Sequence, residues 1–137
     1  MVDFNNGKIT DPSDINQFDS LAHRIGLLGA YTAFTRATGM YPERDSGSLV
    51  AITYCALGLG EAGEVQGKVK KIWRDTDGKI SEEVRKELLL ELGDLLWYTV
   101  RMTDELGFTF EDIIERNVEK LVDRANRNKI SGSGDHR

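Results

Sequence analysis

Two stretches, residues 49–73 (LVAITYCALGLGEAGEVQGKVKKIW) and 82–106 (EEVRKELLLELGDLLWYTVRMTDEL), constrain the fold more than any other feature, because each carries apolar residues at helical spacing on more than one face. A helix apolar around most of its circumference is expected to be surrounded by protein. Each run also holds two carboxylates at i, i+3: Glu61 with Glu64, and Glu91 with Asp94. Residues three apart on a helix share a face. At about 100° per residue, Leu57, Glu61, Glu64 and Lys68 fall on one narrow face of the first run, and Glu87, Glu91, Asp94, Tyr98 and Met102 on one side of the second. Ionised carboxylates on packed helices need partners. Four brought together across two neighbouring helices are tolerable only with a cation among them or with some protonated. Hard divalent cations such as Mg²⁺ take oxygen ligands of this kind.

The rest of the chain extends the helical pattern. Residues 1–12 are polar, with Asn5, Asn6 and Gly7, and read as an N-terminal arm. Asp11 or Ser13 can then cap a helix whose stripe is Ile15, Phe18, Leu21, Ala22, Ile25, Leu28, Ala33 and Phe34, with Gly26 and Gly29 allowing a neighbour to approach. The segment MYPERDSGS is a loop, after which Ser46 or Ser48 caps the first apolar run. Asp77-Gly78 marks a turn and Ser81 the start of the second run. Gly107 ends that run, and Thr109 caps a last helix to about residue 128 with a stripe of Ile113, Ile114, Val118, Leu121 and Val122. Residues 129–137 have the composition of a flexible tail. With no period-two pattern and no repeat, the expected class is all-α, a four-helix bundle over residues 13–128.

At 137 residues the chain is one domain. Its 23 acidic against 18 basic residues give a net charge of −5 with no basic block, which argues against a nucleic-acid partner. Cys55 is the single cysteine and reads as a core residue. No signal peptide and no apolar run of membrane-spanning length is visible, so the expected location is the cytoplasm.

The interval from Glu61-x-x-Glu64 to Glu91-x-x-Asp94, with the surrounding words GLGEAGEVQGKVKK and KELLLELGDLLWY and the later ERNVEKLVDR, resembles the MazG-like nucleoside triphosphate pyrophosphohydrolases of the all-α NTP pyrophosphatase superfamily. The ending ISGSGDHR is similar to that of small stand-alone members. The resemblance implies hydrolysis of a (d)NTP between the α and β phosphates, giving the monophosphate and pyrophosphate, with a purine nucleotide such as dGTP favoured. It implies Mg²⁺, with Mn²⁺ as a substitute, held by Glu61, Glu64, Glu91 and Asp94, and Glu61 or Glu64 orienting the attacking water. Glu87, a turn before Glu91 on the same face, is a candidate outer acid or an extra ligand.

Lys68, Asn117, Lys120 and Arg124 are candidates for phosphate contacts, the last three lying at i, i+3 and i+7 of one helix; a solvated polar face is the competing reading. Tyr98 is a candidate to stack on the base, as are Trp73 and Trp97, although Trp97 points toward packing. His23 reads as a surface residue, and His136 and Arg137 as a tail or a reach into a neighbouring subunit. Apolar surface beyond what four helices can bury predicts a homo-oligomer, a tetramer over a dimer. Two other readings compete. One is a non-catalytic helical interaction module whose acidic pairs bond to Lys68, Lys70, Lys71 or Arg101. The other, a di-iron bundle, requires Glu-x-x-His elements that are absent here.

Overall fold

The computed structural model describes residues 15–127. They form six α-helices and no strand: α1 (Ile15–Ile25), α2 (Leu27–Thr38), α3 (Leu49–Gly58), α4 (Ala62–Asp75), α5 (Glu82–Glu105) and α6 (Phe110–Asn126), with a 3-10 turn at Leu59–Glu61 between α3 and α4. The 24-residue α5, about 36 Å long at the usual helical rise, is the spine. Helices α2, α3, α4 and α6 and the 3-10 turn all pack on it, while α1 lies along α2. Capping follows the side-chain chemistry: Ser48 Oγ accepts from Ala51 N at 3.2 Å, Ser81 Oγ from Val84 N at 3.3 Å, and Thr109 forms a reciprocal capping box with Asp112. The expected caps at Asp11 and Ser13, the N-terminal arm, the tail, His136 and Arg137 lie outside the described residues.

Two of the four expected helices are broken. The first divides at Gly26, whose φ of +83° leaves the helical region. The second changes to a 3-10 turn at Leu59–Glu61, which redirects the chain between α3 and α4. As a consequence Glu61 and Glu64 do not continue a single straight face with Leu57.

Helix α3 meets α5 through small residues. Ala51 and Cys55 are fully buried against Tyr41, with Trp97 and Met102 packed over them. Gly58, one turn further, lies against Tyr98. The expectation that both apolar runs are surrounded by protein fails within a single chain: Leu49, Leu57, Leu89, Leu90 and Leu92 all face outward, Leu57 at 76% exposure. Helix α6 likewise leaves Ile113, Ile114, Val118, Leu121 and Val122 exposed.

The loop between α2 and α3 is fastened by charge. Arg101 is wholly buried and donates from Nε to the Tyr41 hydroxyl (2.9 Å), from one terminal nitrogen to Asp104 (2.6 Å), and from the other to Asp45 (2.5 Å) and Glu105 (3.3 Å). Tyr41 in turn donates to Glu105 Oε1 at 2.5 Å, and the Asp45 and Gly47 amides donate to the same carboxylate at 2.8 and 3.0 Å. Arg36 of α2 grips the Asp104 carboxylate through two nitrogens. Burial pushes the Glu105 carboxyl up, but the Tyr41 hydroxyl, the two amides and the Arg101 charge outweigh it and hold it below the usual range.

Candidate functional site

Glu61, at the end of the 3-10 turn, and Asp94, midway along α5, line one cavity of about 350 Å³ together with Trp97 and Tyr98. Asp94 and Tyr98 share a face because they are four apart on α5, and the 3-10 turn brings Glu61 to the same place. Burial, hydrogen bonding with Tyr54 and the charges of Glu61 and Asp94 push the Tyr98 phenol up. Tyr31 of α2 is pushed up by burial and by Asp94. Its proximity to Asp94 has no signature in the sequence.

The other half of the acidic set is arranged differently. Lys68 of α4 donates to Glu87 Oε2 at 3.0 Å and stands 3.5 Å from Glu91 Oε1, so an ammonium bridges two carboxylates of α5. Hydrogen bonding to Glu87, with the charges of Glu87 and Glu91, pushes Lys68 up. Glu64 is exposed and Glu91 partly buried. The expectation of buried carboxylates is therefore corrected: Glu64 and Asp94 face solvent in the single chain, because the apolar surfaces beside them are themselves open. Among the described residues no three His, Cys, Asp or Glu side chains stand close enough to hold a metal ion, so the four-way convergence is not reached as the side chains lie. The donor chemistry nonetheless suits a hard cation: the carboxylates on the cavity are oxygen donors, and the one thiol, Cys55, is buried in the core.

The remaining candidates separate. Asn117 and Lys120 line a second, largely apolar groove of about 810 Å³ between α5 and α6, with Leu59, Met102, Phe108 and Arg116. Leu59 stands two residues before Glu61, so the groove starts beside the acidic cavity. Arg124, expected on the same face as Asn117 and Lys120, is buried and does not line that groove. Trp73 is 82% exposed and does not line the Glu61–Asp94 cavity. Trp97 packs as expected, its Nε1 donating to Thr38 Oγ1 at 2.9 Å, yet its ring also borders the cavity. Arg101 bonds to Asp45, Asp104 and Glu105 and to neither acidic pair.

Among the described residues an all-helical fold thus sets Glu61 of the α3–α4 bend and Asp94 of the long central helix on one cavity with two aromatic rings, and the class of protein, a nucleotide pyrophosphohydrolase, follows from the family to which the chain belongs. The chain belongs to the family of the MazG nucleotide pyrophosphohydrolase domain, whose model matches residues 51–128. That segment runs from α3 through α6 and contains both acidic pairs. The chain is also 44% identical over 102 residues to the "Gene 37 protein" of Mycobacterium phage L5, a match covering 73% of this chain and 90% of the relative. No solved structure matches significantly. Among the described residues no helix is long and apolar enough to cross a membrane.

Proposed function

We propose that the protein hydrolyses a (d)NTP between its α and β phosphates, releasing the (d)NMP and pyrophosphate, with a purine such as dGTP as the favoured substrate. The observation that carries this reading is the shared cavity of Glu61 and Asp94 beside Tyr98, within a chain of the MazG family. Glu61, Glu64, Glu91 and Asp94 would hold Mg²⁺ or Mn²⁺. Bound there, the cation supplies charge neutralisation for the triphosphate and lowers the pKa of a coordinated water.

The protein's own groups do the rest. Glu61 or Glu64 orients the water and accepts its proton, so that attack on the α phosphorus is a matter of placement and electrostatics without a covalent intermediate. Tyr98 offers a ring face to the base. Asn117 and Lys120 of the adjoining groove would contact phosphate oxygens, and Lys68, which bonds to Glu87 and stands beside Glu91, would offer a further ammonium to them. Arg124 acts on phosphate only after a rearrangement of α6, since it is buried. The outward apolar faces of α3, α5 and α6 support a homo-oligomer, with a tetramer favoured over a dimer.

The test is product analysis. With Mg²⁺ and each of the eight common triphosphates, pyrophosphate should appear, with dGTP among the best substrates. Orthophosphate as the released product would mean a different bond is cut. The bridge from Lys68 to Glu87 and Glu91 favours the competing reading of a non-catalytic module with structural ion pairs. That reading requires Mg²⁺ plus nucleotide to leave the melting temperature unchanged.

A further inference from the structure

Helix α3 is held on α5 at both ends, and the 3-10 turn carrying Glu61 continues directly from its far end. At the near end the Glu105 carboxylate takes the amides of Asp45 and Gly47, the residues that lead into the Ser48 cap. At the far end the α-carbon of Gly58 lies on the Tyr98 ring: a Cβ placed on Gly58 would come within 2.1 Å of both Cδ1 and Cε1 of that ring. Carbon atoms in contact normally lie about 3.5–4.0 Å apart, so no side chain fits there unless Tyr98 or the helix moves. Neighbouring Gly60, Gly63, Gly67 and Gly93 meet nothing within 4 Å, which singles out Gly58.

Tyr98 is flanked by two other rings. Its ring stands edge-on to Trp97 with centroids 5.0 Å apart and tilted against Tyr54 at 6.2 Å, while Trp97 is tied to Thr38. Gly58 precedes Glu61 by three residues and Tyr98 follows Asp94 by four. The contact therefore lies about one helical turn from each carboxylate. We propose that the Gly58–Tyr98 contact sets the separation of Glu61 and Asp94, making both residues positioning residues for the cation site. This rests on the reading that Glu61 and Asp94 share a divalent cation.

The experiment is a Mn²⁺ titration of the full chain by electron paramagnetic resonance, with circular dichroism to verify folding. Gly58→Ala should weaken Mn²⁺ binding about tenfold or more, the range expected when a supporting residue of a metal site is lost. Tyr98→Phe keeps the ring and should bind Mn²⁺ as wild type does, while Tyr98→Ala should bind more weakly. In the Tyr98→Ala background, Gly58→Ala should cost little more, because the clash has gone; effects that simply add contradict the coupling. Should Gly58→Ala not fold, the Phe and Ala variants at Tyr98 decide: equal affinity in both overturns the proposal. Wild type lacking saturable Mn²⁺ binding, or binding that Asp94→Asn leaves intact, overturns the shared-cation reading and the proposal with it. Wild-type binding that needs Asp94 but ignores both Gly58→Ala and Tyr98→Ala overturns the positioning role alone.

Discussion

Helix α5 carries two groups of charge, and its two halves treat them in opposite ways. In the C-terminal half, Arg101, Asp104 and Glu105 are matched to Tyr41, Asp45 and Arg36, with Arg101 and Glu105 buried. From the N-terminal half to the midpoint, Glu87 and Glu91 share a single lysine and Asp94 is left on an open cavity with another carboxylate, Glu61. The first group is satisfied by protein alone. The second retains negative charge that a cation or a cationic ligand can answer. That asymmetry on one helix separates a fastening from the proposed cation site.

The largest break in the comparison comes from the buried half. Arg101→Met leaves the Glu105 carboxylate buried without its cation and should cost about 3–5 kcal/mol in urea unfolding. A paired Arg101→Met and Glu105→Gln change should recover part of that loss; no loss in the single variant would show that the network is not a fastening. Next is Asp94→Asn. Pyrophosphate release should fall at least about 10²-fold, the scale on which removal of one preorganised electrostatic contact acts, while the melting temperature stays the same or rises because Glu61 loses a like charge nearby. A large drop in melting temperature would move Asp94 into the fastening class.

Acid sharpens the contrast further. The folded Glu105 carboxyl lies below its unfolded value, so its contribution to stability is complete above the unfolded pKa and is lost as pH falls through the folded one. Wild type should therefore lose stability below about pH 4, and Glu105→Gln should lose less over the same interval. A variant with the same acid sensitivity as wild type assigns it to other carboxylates. The smallest effect is expected from Lys68→Met, which removes the cation from Glu87 and Glu91: added Mg²⁺ should raise its melting temperature by more than it raises wild type's. An equal or smaller rise would mean that Lys68 does not compete for Glu91.

How much of this was legible in the sequence depended on the range of the interaction. Helix caps are local: Ser81 and Thr109 stand where their spacing placed them, and of the two candidates Ser46 and Ser48 it is Ser48 that caps α3. Likewise Tyr98 shares a face with Asp94 because both are on one uninterrupted helix. The break at Gly26 and the 3-10 turn at Leu59–Glu61 were missed, since a glycine only weakens a helix and tertiary packing decides whether it breaks. The Arg101 network was missed for a different reason. Arg101 and Glu105 at i, i+4 look like an ordinary surface pair, and their burial depends on Tyr41 and Asp45, 60 and 56 residues upstream of Arg101. The exposed apolar faces came from the same limit: periodicity marks a face as apolar without saying which chain covers it.

The central claim is that the carboxylates of the α3–α4 bend and of α5 share a divalent cation. Anomalous diffraction at the manganese edge, from crystals grown with Mn²⁺ and a nonhydrolysable nucleotide, tests it directly. The account predicts an anomalous peak within coordination distance of both Glu61 and Asp94, with Glu64 and Glu91 turned toward it. Ordered nucleotide with both carboxylates turned to solvent and no peak between them would contradict it.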